Sequence, residues 1–408
     1  MVRVFAIKEA APNFIIRRDA RRQRHTLSRT SAAQALSQTE VERYSRQLVL
    51  PELGHEGQQK LKGSSVIIIG AGGLGIPASV YLAAAGVGRV GIVDEDVVEK
   101  SNLHRQTIYT EEDVGRPKVR VAAERLRGVN PHIVVEPHEA RLSSANAMKI
   151  LKGYDVVVDC TDNFPARYLI NDACVLLGRP DVYASIFRFD GQASVFHAQK
   201  GPCYRCLFPE PPPPESVQDC AVAGVLGVLP GIMGSIQAVE ALKLVLGQGE
   251  PLLGRLILFN AADMSFNELR FKKNQGCPAC GRNPTIKSLI DYEAFCGLKA
   301  PPVVKGITPL ELKRMIDEDE EVTILDVREP FEYDLCRIEG SKHIPLGELR
   351  RRIGELDKSS DTVVYCHVGV RSARAVEFLS SEGFSRVRNL EGGIRGWAEE
   401  VDKRMPIY

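Results

Sequence analysis

Apolar positions along the chain fall into short β-branched runs that stop at glycine or at an acid, each followed by a stretch of helical period. The clearest run, Ser65-Val66-Ile67-Ile68-Ile69, ends in Gly70-Ala71-Gly72-Gly73-Leu74-Gly75 and passes into Ala78-Ser79-Val80-Tyr81-Leu82-Ala83-Ala84-Ala85. This pattern predicts a buried strand, a tight turn and a helix. Further strands are expected at Val90-Gly91-Ile92-Val93 and at Tyr154-Asp155-Val156-Val157-Val158-Asp159, with a helix between them that carries Val119, Ala122, Ala123 and Leu126. Helical period starts at Thr39, and a later helix is expected with Ile232, Ile236, Val239 and Leu242 on one side. Beyond Lys299-Ala300-Pro301-Pro302, a linker by composition, the alternation begins again. A helix from Pro309 to Ile316 precedes strands Val322-Thr323-Ile324-Leu325 and Thr362-Val363-Val364-Tyr365, and a helix follows through Val376 and Leu379. Such alternation predicts two α/β units, the second the smaller.

Length agrees, since 408 residues exceed a single small core. A net charge of +1 with 26% charged residues gives no global pull toward nucleic acid or an anionic membrane. No apolar run is expected to reach the length that spans a bilayer. Ten cysteines without a secretory signal suggest a reducing cytoplasm, where thiols serve metals or chemistry. Residues 1–38 carry seven Arg and one Lys against Glu9 and Asp19, which predicts a basic, disordered extension.

The glycine turn lets a backbone approach a phosphate, and the N–H groups that open the next helix favour an anion there. Asp94 closes the following strand, where its carboxylate can reach a ribose hydroxyl. A dense polar stretch follows, Glu95-Asp96-Val97-Val98-Glu99-Lys100-Ser101-Asn102-Leu103-His104-Arg105-Gln106, beyond the strand end where ligands bind in open α/β sheets. Lys118 opens a helix and can meet a phosphate as a point charge. Asp162 follows the strand ending at Asp159, and two readings stand side by side: a magnesium ligand, or the cap of the helix near Pro165.

Cys203-Tyr204-Arg205-Cys206 is answered downstream by Cys277-Pro278-Ala279-Cys280, and two such pairs supply four thiolates for a closed, structural zinc site. Cys220 sits in Asp219-Cys220-Ala221-Val222-Ala223-Gly224, ahead of the apolar helix, and reads either as a small buried side chain or as a nucleophile on a crossover loop. Cys366 begins Cys366-His367-Val368-Gly369-Val370-Arg371-Ser372 between a strand and a helix, among turn N–H groups that favour thiolate. A cysteine-phosphatase loop would set its arginine one position later than Arg371, so this tighter loop suits sulfur. Cys160, Cys174, Cys296 and Cys336 are assigned to structure.

Taken together, the glycine loop, Asp94, Ser101-Asn102-Leu103-His104-Arg105-Gln106, Lys118 and Thr161-Asp162-Asn163 resemble the adenylyltransferases related to ubiquitin-activating enzymes, above all the molybdopterin-synthase adenylyltransferase/sulfurtransferases of the MoeB and MoeZ kind. The segment with Asp326-Val327-Arg328-Glu329, His343-Ile344-Pro345, Cys366 to Ser372 and Gly392-Gly393-Ile394-Arg395-Gly396-Trp397 resembles a rhodanese sulfurtransferase domain. The resemblance implies a Rossmann-like adenylation domain of the ThiF type with structural zinc over residues 39–297, a linker over 298–306 and a rhodanese domain over 307–406. It implies ATP bound by Gly70, Gly72, Gly73, Gly75, Asp94, Ser101, Asn102, Leu103, His104, Arg105, Lys118, Asp162 and Asn163, with magnesium at Asp162.

Arg46 is implied to reach the partner subunit's site in a homodimer. Arg105 and Arg371 are implied as catalytic, Cys366 as the persulfide carrier, and Cys220 as the cysteine that links to the activated carrier protein. The four paired cysteines are implied to hold zinc. The implied partners are a ubiquitin-like sulfur-carrier protein ending in Gly-Gly and an upstream persulfide donor such as a cysteine desulfurase. Rival readings are a nicotinamide-dependent dehydrogenase, which would need neither Arg105, Lys118 nor Asp162, and a non-catalytic scaffold that docks a ubiquitin-like partner.

Overall fold

The computed structural model describes residues 35–212, 224–296 and 304–406. They form two compact units divided near Cys296. Nearly all of the expected basic extension, and Cys220, lie outside the described residues.

The larger unit is built on an eight-stranded sheet. Its strands are β1 (Ser65–Ile69), β2 (Arg89–Asp94), β3 (Val134–Glu139), β4 (Val156–Asp159), β5 (Asp181–Phe187), β6 (Asp190–Phe196), β7 (Arg255–Asn260) and β8 (Ser265–Arg270). Their order is β3-β2-β1-β4-β5-β6-β7-β8, parallel as far as β5 and antiparallel beyond. Ile67 of β1 pairs with Gly91 on one side and Val157 on the other. β1 and β4 are buried along their whole length, as continuous β-branched runs in a covered parallel sheet require. The chain runs outward from β1 to β2 and β3, then returns to lay β4 on the other side of β1. That reversal opens a crevice past the carboxyl ends of β1 and β4, where ligands bind in open α/β sheets.

Helix Gly75–Ala85 follows β1, and helix Leu229–Leu246 packs beside it. The second helix corrects two expectations. It has 18 residues with a mean hydropathy of 1.3, long and apolar enough to cross a membrane, but here it lies against the sheet. Its buried side is Met233, Gly234, Gln237, Ala238, Glu240 and Ala241, while Val239 is exposed. An all-round apolar helix hides its facing from periodicity, and this one turns two polar groups inward with partners. Gln237 Nε2 donates to Asp159 O at 2.6 Å and Val182 O at 2.9 Å; Glu240 Oε2 accepts from Leu252 N at 2.8 Å.

The smaller unit is a five-stranded parallel sheet in the order β11-β10-β12-β13-β9. Its strands are β9 (Gly306–Ile307), β10 (Val322–Asp326), β11 (Lys342–His343), β12 (Asp361–Tyr365) and β13 (Val387–Leu390). Neighbouring residues along β10 and β12 face opposite ways. Leu325 and Val364 pack with Val376 and Leu379 on one face, and Ile324 and Val363 pack with Leu312 and Trp397 on the other.

Candidate active sites

The glycine loop wraps the end of β1 in a form that needs its glycines. Gly70 has φ +103°, and a Cβ there would stand 2.8 Å from Cys160 O; at Gly75 a Cβ would meet Gly70 O outright. Gly72 is open except toward Gln106 Nε2, and Gly73 lies against Pro230. Asp94 braces the loop: Oδ2 accepts from Ala71 N at 2.7 Å and Oδ1 from Asp96 N at 2.8 Å. Burial raises the Asp94 pKa, opposed by the positive charge of Lys118.

Lys118, the first residue of helix Lys118–Val129, is buried and holds Asp96 Oδ2 at 2.8 Å. Asn102 and Gln106 are also buried, and among the described residues Asn102 Oδ1 and Gln106 Oε1 have no hydrogen-bond partner. A buried unpartnered amide oxygen costs roughly 1–3 kcal/mol. Ser101 and His104 are exposed, and Leu103 is half-buried. Arg105 Nη1 donates to Ser101 O at 2.9 Å. The end of the crossover segment arrives at the same place: a Cβ on Gly227 would stand 2.5 Å from His104 O.

The cap that the sequence offered to Asp162 belongs to its neighbour Asn163. Asn163 caps helix Phe164–Leu177, its Oδ1 accepting from Ala166 N at 3.0 Å. The Asp162 carboxylate stays exposed past the end of β4. One such carboxylate with bound phosphates suits magnesium, which would neutralise phosphate charge there. Arg46 is exposed on the short helix Ser45–Leu48, beside exposed Val49 and Leu50.

The sulfurs of Cys203, Cys206, Cys277 and Cys280 all lie within 4.8 Å of one another. Three separations are 3.9, 3.6 and 3.4 Å. Tetrahedral zinc with bonds of about 2.3 Å spaces its sulfurs by about 3.8 Å, so the four fit a closed structural site. Between the first two ligands, Arg205 is fully buried and donates to both oxygens of Asp172 at 2.8 Å, stacked between Tyr168 and Phe295. Tyr292 joins the same carboxylate at 2.9 Å. In the sequence Arg205 stands only as a member of the Cys203-Tyr204-Arg205-Cys206 run, and no periodicity marks it.

In the smaller unit, Cys366 follows β12 and is buried. Its Sγ accepts from Gly369 N at 3.2 Å and from Ser372 Oγ at 3.3 Å. Gly369 takes φ +96° to close the turn. Helix Gly393–Glu400 fixes the loop from behind: Ile394 N donates to Cys366 O at 2.8 Å and Arg395 N to His367 O at 3.1 Å. Two donors thus converge on the sulfur. Arg371 makes a bidentate pair with Glu332, both contacts at 2.8 Å. Glu332 drew no notice in the sequence.

Residues 44–279 match the ThiF family. The chain belongs to that family. Residues 308–400 match the Rhodanese-like domain, so a ThiF domain and a rhodanese-like domain stand in one chain. Over 387 residues the chain is 46% identical to a probable adenylyltransferase/sulfurtransferase MoeZ of Mycobacterium tuberculosis, covering 92% of this chain and 97% of that protein. A sulfur carrier protein adenylyltransferase of Thermus thermophilus is 57% identical over 265 residues, 64% of this chain and 98% of its own length. The adenylyltransferase and sulfurtransferase MOCS3 of Sus scrofa is 45% identical over 404 residues, with 92% and 89% covered. Among solved structures, E. coli MccB with ATP aligns with a TM-score of 0.53 at 25% identity, over 60% of this chain and 75% of that one.

The ThiF domain thus gathers at one strand-end crevice Gly70 to Gly75, Asp94, the Ser101–Gln106 stretch, Lys118 and Asp162. Arg46 stands apart from this group on its exposed helix.

Proposed function

We propose that this chain activates the C-terminal glycine of a ubiquitin-like sulfur-carrier protein with ATP and converts it to a thiocarboxylate. The observation that carries the reading is the crevice itself: a glycine cradle, a buried lysine and an exposed strand-end carboxylate, in one chain with a cysteine whose sulfur accepts two hydrogen bonds.

The carrier carboxylate attacks the α-phosphorus of ATP, the bond to the β-phosphate oxygen breaks, and pyrophosphate leaves. Lys118 and Arg105 supply positive charge where that negative charge develops, and Arg46 of a second copy adds to it in a homodimer. Asp162 would hold magnesium against the same phosphates. A persulfide on Cys366 then attacks the acyl carbon, and AMP leaves. Thiolate attack by Cys220 on the Cys366 sulfur breaks the S–S bond, releases the thiocarboxylate and leaves a Cys220–Cys366 disulfide for a thiol reductant. A cysteine desulfurase suits the role of persulfide donor, and the four paired cysteines hold structural zinc.

Exposed Phe189, Leu226, Val228, Met264 and Phe266 offer an apolar surface for the carrier. Leu226 N bonds Arg188 O and Ala261 N bonds Phe189 O, so the turns that bear several of these side chains are joined.

The test is ATP–pyrophosphate exchange with magnesium, with and without a carrier ending in Gly-Gly. Carrier-dependent exchange is the expected result. Zinc-loaded, folded protein that gives no exchange with any carrier overturns the reading.

A further inference from the structure

Loading Cys366 requires a sulfur donor, and the surroundings of the loop bear on that donor's charge. The run Cys366-His367-Val368-Gly369-Val370-Arg371 holds one Arg and no Lys. The arginine's Nη1 and Nη2 donate to Oε2 and Oε1 of Glu332, both at 2.8 Å. Glu332 is fully buried and Arg371 is 23% exposed. Oε2 also accepts from Glu329 N at 3.0 Å, which pins the carboxylate at the start of helix Pro330–Leu335. A bidentate pair whose carboxylate is fully buried is geometrically fixed.

Among the described residues that line the cavity beside the loop, three acids face a single arginine. Val368 and Val370 are exposed. A cavity of about 290 Å³ beside Val368 is edged by Glu391, Glu399 and Glu400, and its Arg395 donates to Glu399 at 3.0 Å.

We propose that Glu332 is a specificity-determining residue for persulfide formation: by neutralising Arg371 in place, it makes the loop discriminate against small dianionic sulfur donors. The inference rests on the reading of Cys366 as the persulfide site. With thiosulfate, the Cys366 thiolate attacks the outer sulfur, the S–S bond of the donor breaks, and sulfite leaves with the electron pair, so Cys366 ends as the persulfide anion. Both the approach of the dianion and the departure of sulfite concentrate negative charge at the loop. A guanidinium released from its carboxylate stabilises that charge; one held by Glu332 has already spent its own.

The test uses the full chain with thiosulfate, a dianion, and methanethiosulfonate, a monoanion, as donors and cyanide as the acceptor, reading thiocyanate. Glu332→Gln raises kcat/KM for thiosulfate about five- to tenfold, with a smaller gain for methanethiosulfonate. The gain shrinks at high salt and disappears in the double variant Glu332→Gln with Arg371→Gln, which removes both charges together. A folded Glu332→Gln protein whose donor ratio is unchanged, or a gain that persists in the double variant, overturns the proposal. Should Glu332→Gln fail to fold, Glu332→Asp keeps the charge but shortens its reach. It shifts the donor ratio in the same direction, and an unmoved ratio overturns the proposal equally. Wild-type protein that gains no sulfane sulfur on Cys366 from any donor removes the persulfide reading itself, a failure visible without any variant.

Discussion

The Lys118 ammonium lies 2.8 Å from Asp96 Oδ2, with the lysine side chain 7% exposed and the aspartate 63%. The two are tied again through the backbone, Lys118 N donating to Asp96 O at 2.9 Å. The buried member of the pair is the cation and the exposed member is the anion, so an incoming phosphate can take the place of a solvated carboxylate. Lys118→Ala is expected to lower carrier-dependent pyrophosphate exchange by about 10²–10³-fold, the range for a lost charge-stabilising donor. Asp96→Asn has a much smaller effect, because the aspartate is the partner that yields. Exchange rates of the two variants, measured beside their melting temperatures, check the asymmetry.

Asp162 and Asn163 make a second contrast between neighbours. Asn163→Ala loses the cap of helix Phe164–Leu177 and costs about 1 kcal/mol of stability, with the magnesium dependence of exchange unchanged. Asp162→Asn leaves the melting temperature in place and raises the magnesium needed for half-maximal exchange. Magnesium titrations alongside denaturant curves separate the two, and a shared phenotype would contradict the division.

Much of this was legible in the sequence, for a physical reason. The run Val66-Ile67-Ile68-Ile69 is buried on both faces, and such a strand cannot disguise itself; Gly75 is fixed because a side chain there collides with Gly70 O. The antiparallel extension was harder, since β8 is exposed except for half-buried Ser265 and Leu269 and carries little apolar signal. Glu332, Asp172 and Arg205 were invisible for another reason. Each is a charged residue in an ordinary helical stretch, and only the tertiary partner explains its burial: Arg371 for Glu332, and Arg205 for Asp172. Helix Leu229–Leu246 misled because its inward polar residues, Gln237 and Glu240, are satisfied by backbone groups from distant segments.

The cysteine cluster predicts one zinc ion per chain, measured by atomic absorption. Because structural zinc carries folding energy, stripping it with a chelator lowers the melting temperature of the ThiF domain. Arg205→Ala strikes the same region without touching a ligand. It leaves the Asp172 charge buried and unpaired, so a loss of about 3–5 kcal/mol is expected even with zinc retained. Metal content and calorimetry on the same sample distinguish the two effects.

Adenylation and sulfur transfer are assigned to different residues, so they must separate. Cys366→Ala is expected to keep carrier-dependent exchange within about twofold of wild type, since no step before AMP release uses the sulfur. The same variant yields no thiocarboxylate, read by mass spectrometry of the carrier as absence of the 16-dalton oxygen-to-sulfur gain. Loss of both activities in a folded protein would argue against separate sites.

Asp159 and Asp181 face each other electrostatically in the core behind the crevice. Burial raises both carboxyls; the Asp159 charge raises Asp181 further, whereas the Arg167 charge opposes the shift of Asp159. Among the described residues Asp159 Oδ2 and Asp181 Oδ1 both have no hydrogen-bond partner, but Asp159 Oδ1 accepts from Thr161 N at 2.9 Å and Thr161 Oγ1 at 2.6 Å and Arg167 opposes its shift, so Asp181 is the better place for the proton. An acid whose native pKa lies above its unfolded value binds its proton more tightly in the fold. Its contribution to stability is therefore fully present below the unfolded pKa of about 3.9 and is lost as pH rises through the raised native value. Asp181→Asn removes that loss, because the amide is neutral throughout. The variant should be more stable than wild type at pH 8, and the difference should shrink steadily as pH falls toward 4. Chemical denaturation at a series of pH values gives the slope directly, and a variant that is less stable at pH 8 would show that Asp181 is held ionised by a partner.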